Sequence, residues 1–242
     1  MGVATVALMF VMTQRCERGH FVTRSSMSSP VTTRTLPERL PDAPYHGIDI
    51  SSHQSMIDWA KVSQDDYIKF VYIKATEGAT YTSPHYGYNV SMARRRGLLV
   101  GSYHYLTSSA SVREQYDNFV RLAAASTQDL IPMIDVETRG TWSRRQLCDS
   151  LQVMADLLEA HYRVKPMIYS TMSFYNDNLA PMFNGYPLYI GRYSDEPPAI
   201  GWDGNYVIWQ HSQTGVVPGI DAYVDLAGFA PGCWLGDILL RQ

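Results

Sequence analysis

Cysteine is scarce in this chain of 242 residues, which contains only Cys16, Cys148 and Cys233. An odd number of widely spaced cysteines excludes a disulfide framework, and no two of them have the spacing of a zinc site. Long apolar runs are also lacking, because none approaches the roughly 18 residues that a membrane-spanning helix needs. We therefore expect neither a disulfide scaffold, a cysteine metal centre nor a transmembrane span.

Positive charge is not in excess either. The formal net charge is −3, and the single basic run, at residues 94–96, precedes Gly97 as at the end of a helix. This charge gives no argument for binding nucleic acid. What is abundant is apolar and aromatic residues, with 45% hydrophobic content, 17 Tyr and 5 Trp. They suffice for one sizeable core, and tyrosine or tryptophan at strand ends suits flat, amphipathic ligands such as sugars.

The first 44 residues lack the periodicity of a folded domain. Residues 3–12 resemble the apolar core of an export signal, but no Lys or Arg precedes them, so a misassigned start explains them equally well. Residues 13–44 are rich in Arg, Ser, Thr and Pro, as linkers are. We expect an N-terminal tail over residues 1–44 and one folded domain over residues 45–242.

From residue 45 onwards, short apolar runs alternate with helical stretches. Candidate strands cover residues 46–51, 69–76, 98–105, 130–137, 165–170, 186–193, 206–212 and 222–229. Candidate helices cover residues 57–62, 84–96, 111–125 and 144–162, and only short segments follow residue 165. This alternation predicts parallel strands joined by crossovers. The expected fold is a single-domain α/β structure, an irregular TIM-like (β/α) barrel with few helices in its second half.

In a parallel barrel, the functional face lies at the carboxyl ends of the strands. The polar residues at those ends are, in chain order, Asp49, Ser51, Lys74, Thr76, Glu77, Tyr103, His104, Tyr105, Asp135, Glu137, Tyr169, Arg192, Tyr193, Trp209, Gln210, His211 and Asp225. Apolar runs end in polar residues in any α/β protein. Four carboxylates converging on one mouth are much harder to explain without a function.

Asp135 and Glu137 lie two residues apart at the end of an apolar run. Because side chains alternate along a strand, both carboxylates point the same way. Burying one acid is costly, and a second acid beside it raises at least one pKa further. Acid–base chemistry favours such a pair, since one carboxyl can stay protonated while the other is charged. Two solvated acids on a loop are the alternative, and Asp-x-Glu alone would not exclude it.

Several blocks together resemble glycoside hydrolase family 25, the muramidases also called Chalaropsis-type or phage-type lysozymes. They are GIDISSHQSMIDW (47–59), FVYIKATEG (70–78), GLLVGSYHY (97–105), IDVE (134–137), IYS (168–170), WQHS (209–212) and VDLAGF (224–229). The resemblance runs in order over about three quarters of the chain. One position departs from it, because the family's last block usually reads Val-Asp-x-Asn and Ala227 stands in place of that Asn. We expect an Asn there to support the site rather than act in it.

The resemblance implies cleavage of the β-1,4 bond between N-acetylmuramic acid and N-acetylglucosamine in peptidoglycan, without metal or organic cofactor. Carried over by motif, Glu137 would be the general acid, and Asp135, Asp49 and Asp225 would line the catalytic subsite. The candidate substrate-binding residues are Lys74, Tyr103, Tyr105, Tyr169, Arg192 and Trp209. Of these, Lys74 could anchor the carboxylates or be a surface lysine, and the aromatic residues could be sugar-stacking walls or core. We expect an exported or envelope protein that is a monomer.

Two acids projecting side by side from one strand approach a sugar from one side, whereas two-carboxylate glycosidases place them on opposite faces. This favours substrate assistance, in which the 2-acetamido group of the sugar is the nucleophile and Asp135 orients it. Asp49 or Asp225 holding a water is the alternative mechanism. Two other functions stay open: a glycosidase acting on another N-acetylated glycan, such as chitin or an N-glycan core, and a glycan-binding protein without catalysis.

Overall fold

The computed structural model describes residues 43–241, so the tail predicted over residues 1–44 lies almost entirely outside the described residues. The strands are β1 Gly47–Ile50, β2 Phe70–Glu77, β3 Tyr81–Thr82, β4 Leu99–Tyr105, β5 Met133–Asp135, β6 Met167–Thr171, β7 Leu188–Gly191, β8 Ile208–Gly215 and β9 Val224–Phe229. The α-helices are α1 Trp59–Val62, α2 Tyr86–Arg95, α3 Val112–Leu122, α4 Arg144–Tyr162 and α5 Met172–Asn178. No helix in this range has the length and hydropathy needed to cross a bilayer.

Eight of the strands close into a barrel. Around the ring the order is β1-β9-β8-β7-β6-β5-β4-β2, and β1 also pairs with β2, which closes it. The two-residue β3 pairs only with the end of β2. Between α5 and the end of the described range, the chain forms no further α-helix. The predicted fold class, an irregular α/β barrel with few helices in its second half, is confirmed.

The direction of the last strand differs from the all-parallel expectation. β9 is antiparallel to both β1 and β8, whereas the other pairs of the ring are parallel. Only residues 216–223 connect β8 to β9, and a parallel return needs a crossover of about a dozen or more residues. The reversal brings the start of β9 to the mouth where the other strands end. Asp225 therefore lies at the expected end of the barrel.

The longest helix, α4, has the bounds that the sequence predicts. Its buried side chains recur at helical spacing along one face, and they include Leu147, Leu151, Met154 and Leu158. The short helix α5 was not among the predicted helices. Its seven residues are too few to show a hydrophobic period, so the sequence gives no sign of it.

The inside of the barrel is filled by large apolar and aromatic side chains. The members of this layer include Phe70, Tyr72, Met133, Met167, Tyr189, Ile208 and Ala227. The helices pack against the opposite face of the strands and form a second layer of the core. Because side chains alternate between the two faces, each strand contributes to both layers. The polar residues at the strand ends therefore lie directly above a packed layer of apolar and aromatic side chains.

The interior packing leaves no space beside Gly101 of β4. A Cβ atom there would lie 2.4 Å from Cε1 of Tyr72 and 3.0 Å from Cβ of Leu130. We therefore expect Gly101→Ala to lower the free energy of unfolding by about 1–3 kcal/mol, as overpacked cores do. The control is Gly87→Ala on α2, where a Cβ meets no atom within 4 Å. That change should stabilise the protein by about 0.5–1 kcal/mol through helix propensity. Urea unfolding of both variants tests the prediction, which equal stability of the two would contradict.

Candidate active site

A cavity of about 150 Å³ opens at the mouth of the barrel. Its lining residues come from the ends of strands spread around the ring, and they are Asp49, Tyr103, Met133, Asp135, Glu137, Tyr169, Tyr193, Gln210, Gln213 and Asp225. All four carboxylates predicted from the sequence are among them, together with two of the predicted tyrosines. This cavity is called the acid pocket below.

Asp49 and Asp225 form the first carboxyl pair of the acid pocket. They are directly opposite each other in the antiparallel pairing of β1 with β9, so their Cβ atoms lie about 4.5–5.5 Å apart. A hydrogen bond joins the two carboxyl groups. Asp49 is only 8% exposed, and its Oδ2 accepts a hydrogen bond of 2.6 Å from the Tyr189 hydroxyl.

Asp135 and Glu137 form the second pair. Asp135 ends β5 and is 6% exposed. The Val136 amide between them donates to the Tyr169 carbonyl at 3.0 Å, which keeps the chain extended and both acids on one side. The two carboxyl groups hydrogen-bond each other. Oδ1 of Asp135 is buried, and no hydrogen-bond donor among the described residues reaches it.

Burial raises the pKa of every acid in the pocket, and repulsion from a neighbouring carboxylate raises it further for Asp135, Asp49 and Asp225. The pKa of Asp135 rises well above its usual range because the carboxyl is buried and because Glu137 is charged nearby. Burial raises the pKa of Glu137, which is more accessible. The pKa of Asp49 likewise rises well above its usual range through burial and the charge of Asp225, and burial raises that of Asp225. Each pair therefore retains a proton at a pH where free carboxylic acids have lost theirs.

The comparisons with known proteins agree with this geometry. The family profile described as "Glycosyl hydrolases family 25" matches residues 48–220. The chain belongs to glycosyl hydrolase family 25. The matched segment contains Asp49, Asp135 and Glu137 and ends before Asp225.

Individual relatives of this family cover similar parts of the chain. The chain is 37% identical over 191 residues to the protein YegX of Escherichia coli K12, covering 76% of this chain and 69% of that protein. It is 35% identical over 190 residues to the autolytic lysozyme of Clostridium acetobutylicum, covering 78% of this chain and 57% of that protein. A solved structure of a family 25 glycosyl hydrolase from Bacillus anthracis has a TM-score of 0.71 at 27% identity, covering 79% of this chain and 91% of that one.

Membership of family 25 confirms the resemblance drawn from the sequence. It makes the chain a glycoside hydrolase, so an enzyme is supported over a glycan-binding protein without catalysis. The departure at Ala227 lies in the interior of the barrel. Ala227 is fully buried inside the barrel, on the same face of β9 as Asp225 and two residues deeper. A small apolar side chain suits that dry layer.

The family 25 pocket does not include Lys74 or Tyr105, two of the predicted binding residues. Lys74 Nζ lies 2.6 Å from Oε2 of Glu77 and 4.8 Å from the centre of the Tyr105 ring. Its positive charge nevertheless lowers the pKa of Asp135 and thus opposes the larger effect of burial. The structure therefore gives Lys74 an electrostatic influence on the carboxyl pair without a direct contact.

Arg192 and Trp209 also lie outside the acid pocket. The Arg192 guanidinium binds Glu196 at 2.9 Å and the Pro197 carbonyl at 2.6 Å. Trp209 follows Ile208, which is buried inside the barrel, so its side chain points to the outer face of β8. There its Nε1 donates to the Arg192 carbonyl at 2.7 Å. Arg192 and Trp209 therefore make structural contacts beside the acid pocket and do not line it.

A larger groove of about 790 Å³ adjoins the acid pocket and shares Tyr193 and Gln213 with it. It runs along β8 and β9. Other residues lining it include Pro44, His46, Asp195, Trp209, His211 and Thr214. The pocket is thus one end of a longer surface depression.

The sequence did not assign a role to four residues of the family 25 pocket. Tyr193 and Gln210 were recognised as polar strand ends, whereas Met133 and Gln213 were not singled out. Tyr189, which binds Asp49 from below, was also missed. The available signal was strand alternation: Tyr189 is two residues before Gly191, at the mouth end of β7, and thus on the inward face with it.

The strain in the pocket predicts a gain of stability when Asp135 is replaced by Asn. The folded-state pKa of Asp135 is raised, so its ionisation costs folding free energy as the pH rises from the unfolded pKa through the folded one. Asn does not ionise, and its amide can donate to Glu137. The melting temperature of Asp135→Asn should exceed that of the wild type by a few degrees at about pH 7, and the difference should vanish near pH 3.

Calorimetry over this pH range measures the difference. The control is Asp66→Asn, because Asp66 is exposed and its replacement should leave the melting temperature almost unchanged at each pH. A variant of Asp135 that is less stable than the wild type at neutral pH would show that the carboxyl contributes to folding, contrary to this prediction.

Proposed function

We propose that this family 25 enzyme hydrolyses peptidoglycan by cleaving the β-1,4 bond between N-acetylmuramic acid and N-acetylglucosamine. In this proposal Glu137 is the general acid and Asp135 assists the 2-acetamido group of the sugar. Relatives named lysozyme support the polymer as substrate. The long groove beside the acid pocket supports an enzyme that holds a chain of sugars rather than a single one.

The observation that carries the proposal is the hydrogen-bonding state of Asp135. Its neighbour in the pocket, Asp49, receives donors from the protein, but no donor among the described residues reaches Oδ1 of Asp135. A buried carboxylate without donors is costly. The N–H of a 2-acetamido group supplies the missing donor from the substrate. The pocket thus favours N-acetylated sugars.

Substrate binding also shifts the proton that Asp135 and Glu137 share onto Glu137, the proposed general acid. When the acetamido N–H donates to Asp135, that carboxylate is stabilised in its charged form and the proton passes to Glu137. Glu137 is the more accessible member of the pair. This suits a general acid, because it must reach the glycosidic oxygen of the substrate. Its pKa, raised by burial, keeps it protonated at a higher pH than a free glutamic acid, as a general acid requires.

Bond cleavage then proceeds in two steps. In the first, Glu137 gives its proton to the glycosidic oxygen, the acetamido oxygen bonds to C1, and the bond from C1 to the leaving oxygen breaks. Asp135 stabilises the positive charge that forms on the acetamido nitrogen. In the second, water attacks C1 while its proton passes to Glu137, and the acetamido group is released. The two inversions at C1 return the β configuration.

An enzyme that cleaves peptidoglycan acts at the cell envelope. An exported protein is consistent with this location, and the segment that would direct export lies within residues 1–42, outside the described structure. The enzyme is proposed to act as a monomer, because a single chain brings together all four carboxyl groups that the proposed reaction uses.

The proposal predicts that Glu137→Gln loses activity on purified bacterial walls by about 10²–10⁴-fold, since Gln cannot donate the proton. Borohydride reduction followed by mass spectrometry of the wild-type products should find N-acetylmuramic acid at the reducing end. The control is Glu159→Gln on α4, which should retain wild-type activity.

Other outcomes of the same experiment would contradict the proposal. Reducing-end N-acetylglucosamine would mean that the other glycosidic bond is cut. Cleavage of chitin oligomers in preference to walls would move the substrate to another N-acetylated glycan. More than about a tenth of wild-type activity in Glu137→Gln would exclude Glu137 as the general acid.

A further inference from the structure

Gln210 occupies the centre of a hydrogen-bond network below the acid pocket. It is 2% exposed, and its amide oxygen accepts from the hydroxyl groups of Tyr169 at 2.7 Å and Tyr193 at 2.8 Å. Its amide nitrogen donates to Oδ2 of Asp49 at 2.9 Å. An amide nitrogen cannot accept a hydrogen bond and a carboxylate cannot donate one. Only this orientation of the amide satisfies all three partners.

The network determines which oxygen of Asp49 is available to its partner acid. Oδ2 of Asp49 accepts from both Gln210 and Tyr189, so two donors occupy it. Oδ1 is therefore the oxygen of Asp49 that these two donors leave to Asp225. Tyr189 is fully buried, and burial raises its pKa well above the usual range, so it remains a phenol that can donate.

We propose that Gln210 is a positioning residue that acts through Asp49. It keeps Asp49 ionised, so that the proton of the Asp49–Asp225 pair is held on Asp225. It also orients the side chains of Tyr169 and Tyr193 at the pocket wall. This inference rests on the proposed function, because it assigns the pair a role opposite the Asp135–Glu137 pair. A pair that keeps one proton carries one negative charge. That charge faces the centre where positive charge develops on the sugar.

The groups that face Asp49 come from most strands of the ring. They are Tyr103 on β4, Asp135 on β5, Tyr169 on β6, Tyr189 on β7, Tyr193 just after it, and Asp225 on β9. Burial raises the pKa of each of these tyrosines, that of Tyr193 to about 12. These tyrosines therefore stay protonated where the carboxyl groups titrate, and the hydrogen bond from Gln210 favours the ionised form of Asp49.

Two substitutions remove one donor each from Oδ2 of Asp49. Gln210→Met keeps the volume of the side chain and removes all three hydrogen bonds, whereas Tyr189→Phe removes only the donor to Asp49. A hydrogen bond to a carboxylate lowers its pKa, so either change should raise the titration of the Asp49–Asp225 pair by about one pH unit. Carbon-13 NMR of labelled aspartate carboxyls in the intact protein measures this shift without relying on activity.

The matched control is Gln128→Met. Gln128 is also buried, and its amide hydrogen-bonds Ser102, Tyr86 and Thr127 on the outer side of the sheet. It should lose stability as Gln210→Met does, with no change in the aspartate titration. With soluble glycan-strand fragments as substrate, both Gln210→Met and Tyr189→Phe should lower kcat more than they change KM. The acid limb of their kcat profile should move to higher pH, and that of Gln128→Met should not.

The outcomes separate this inference from the proposed function. Suppose that the wild type cleaves walls, but that Gln210→Met and Tyr189→Phe have the same aspartate titration and the same acid limb of the kcat–pH profile as the wild type. The positioning role is then wrong, and the proposed function stands. A loss of activity in Gln210→Met with an unmoved pH profile would indicate a structural role and also overturn the inference. If the carboxyl titration shifts but the wild type does not cleave peptidoglycan, the network is correct and the proposed function is wrong.

Discussion

Four carboxyl groups share a cavity of about 150 Å³, and the repulsion among them is the constraint on which the rest of the site depends. Water does not screen charges well in such a place, so the cost of ionising all four is large. The protein reduces this cost by arranging the acids as two hydrogen-bonded pairs, Asp49 with Asp225 and Asp135 with Glu137. Each pair can keep one proton, which leaves acid and base forms side by side.

The two pairs are supported differently, and this difference divides their functions. Asp49 is held by donors from β7 and β8 beneath it, which suits a group that stays in place and carries charge. In the described part of the chain, no donor reaches Oδ1 of Asp135, and the charge of Lys74 favours its ionised form. Its hydrogen-bonding capacity is left for the substrate. The antiparallel β9 makes the first pair possible, because reversing the last strand places Asp225 directly opposite Asp49.

Local patterns in the sequence predicted the parts of the site that depend on strand ends and alternation. Asp135 and Glu137 follow from an apolar run and a two-residue spacing, and α4 follows from its period. The direction of β9 could not be predicted in this way, because it depends on the short connection from β8. Trp209 and Gln210 show the same limit at one step of the chain. They are adjacent in the chain, but Gln210 enters the pocket and Trp209 does not. This could be predicted only if the inward face of β8 were known.

The anomeric configuration of the first product tests the division of labour between the pairs most directly. Proton NMR during the first minutes of cleavage, before mutarotation, reports whether the new reducing end is α or β. Participation of the acetamido group, with Asp135 as its support, predicts the β anomer, because C1 is inverted twice. An initial α anomer would mean a single displacement by water. It would contradict this account and move the role of base to Asp49 or Asp225.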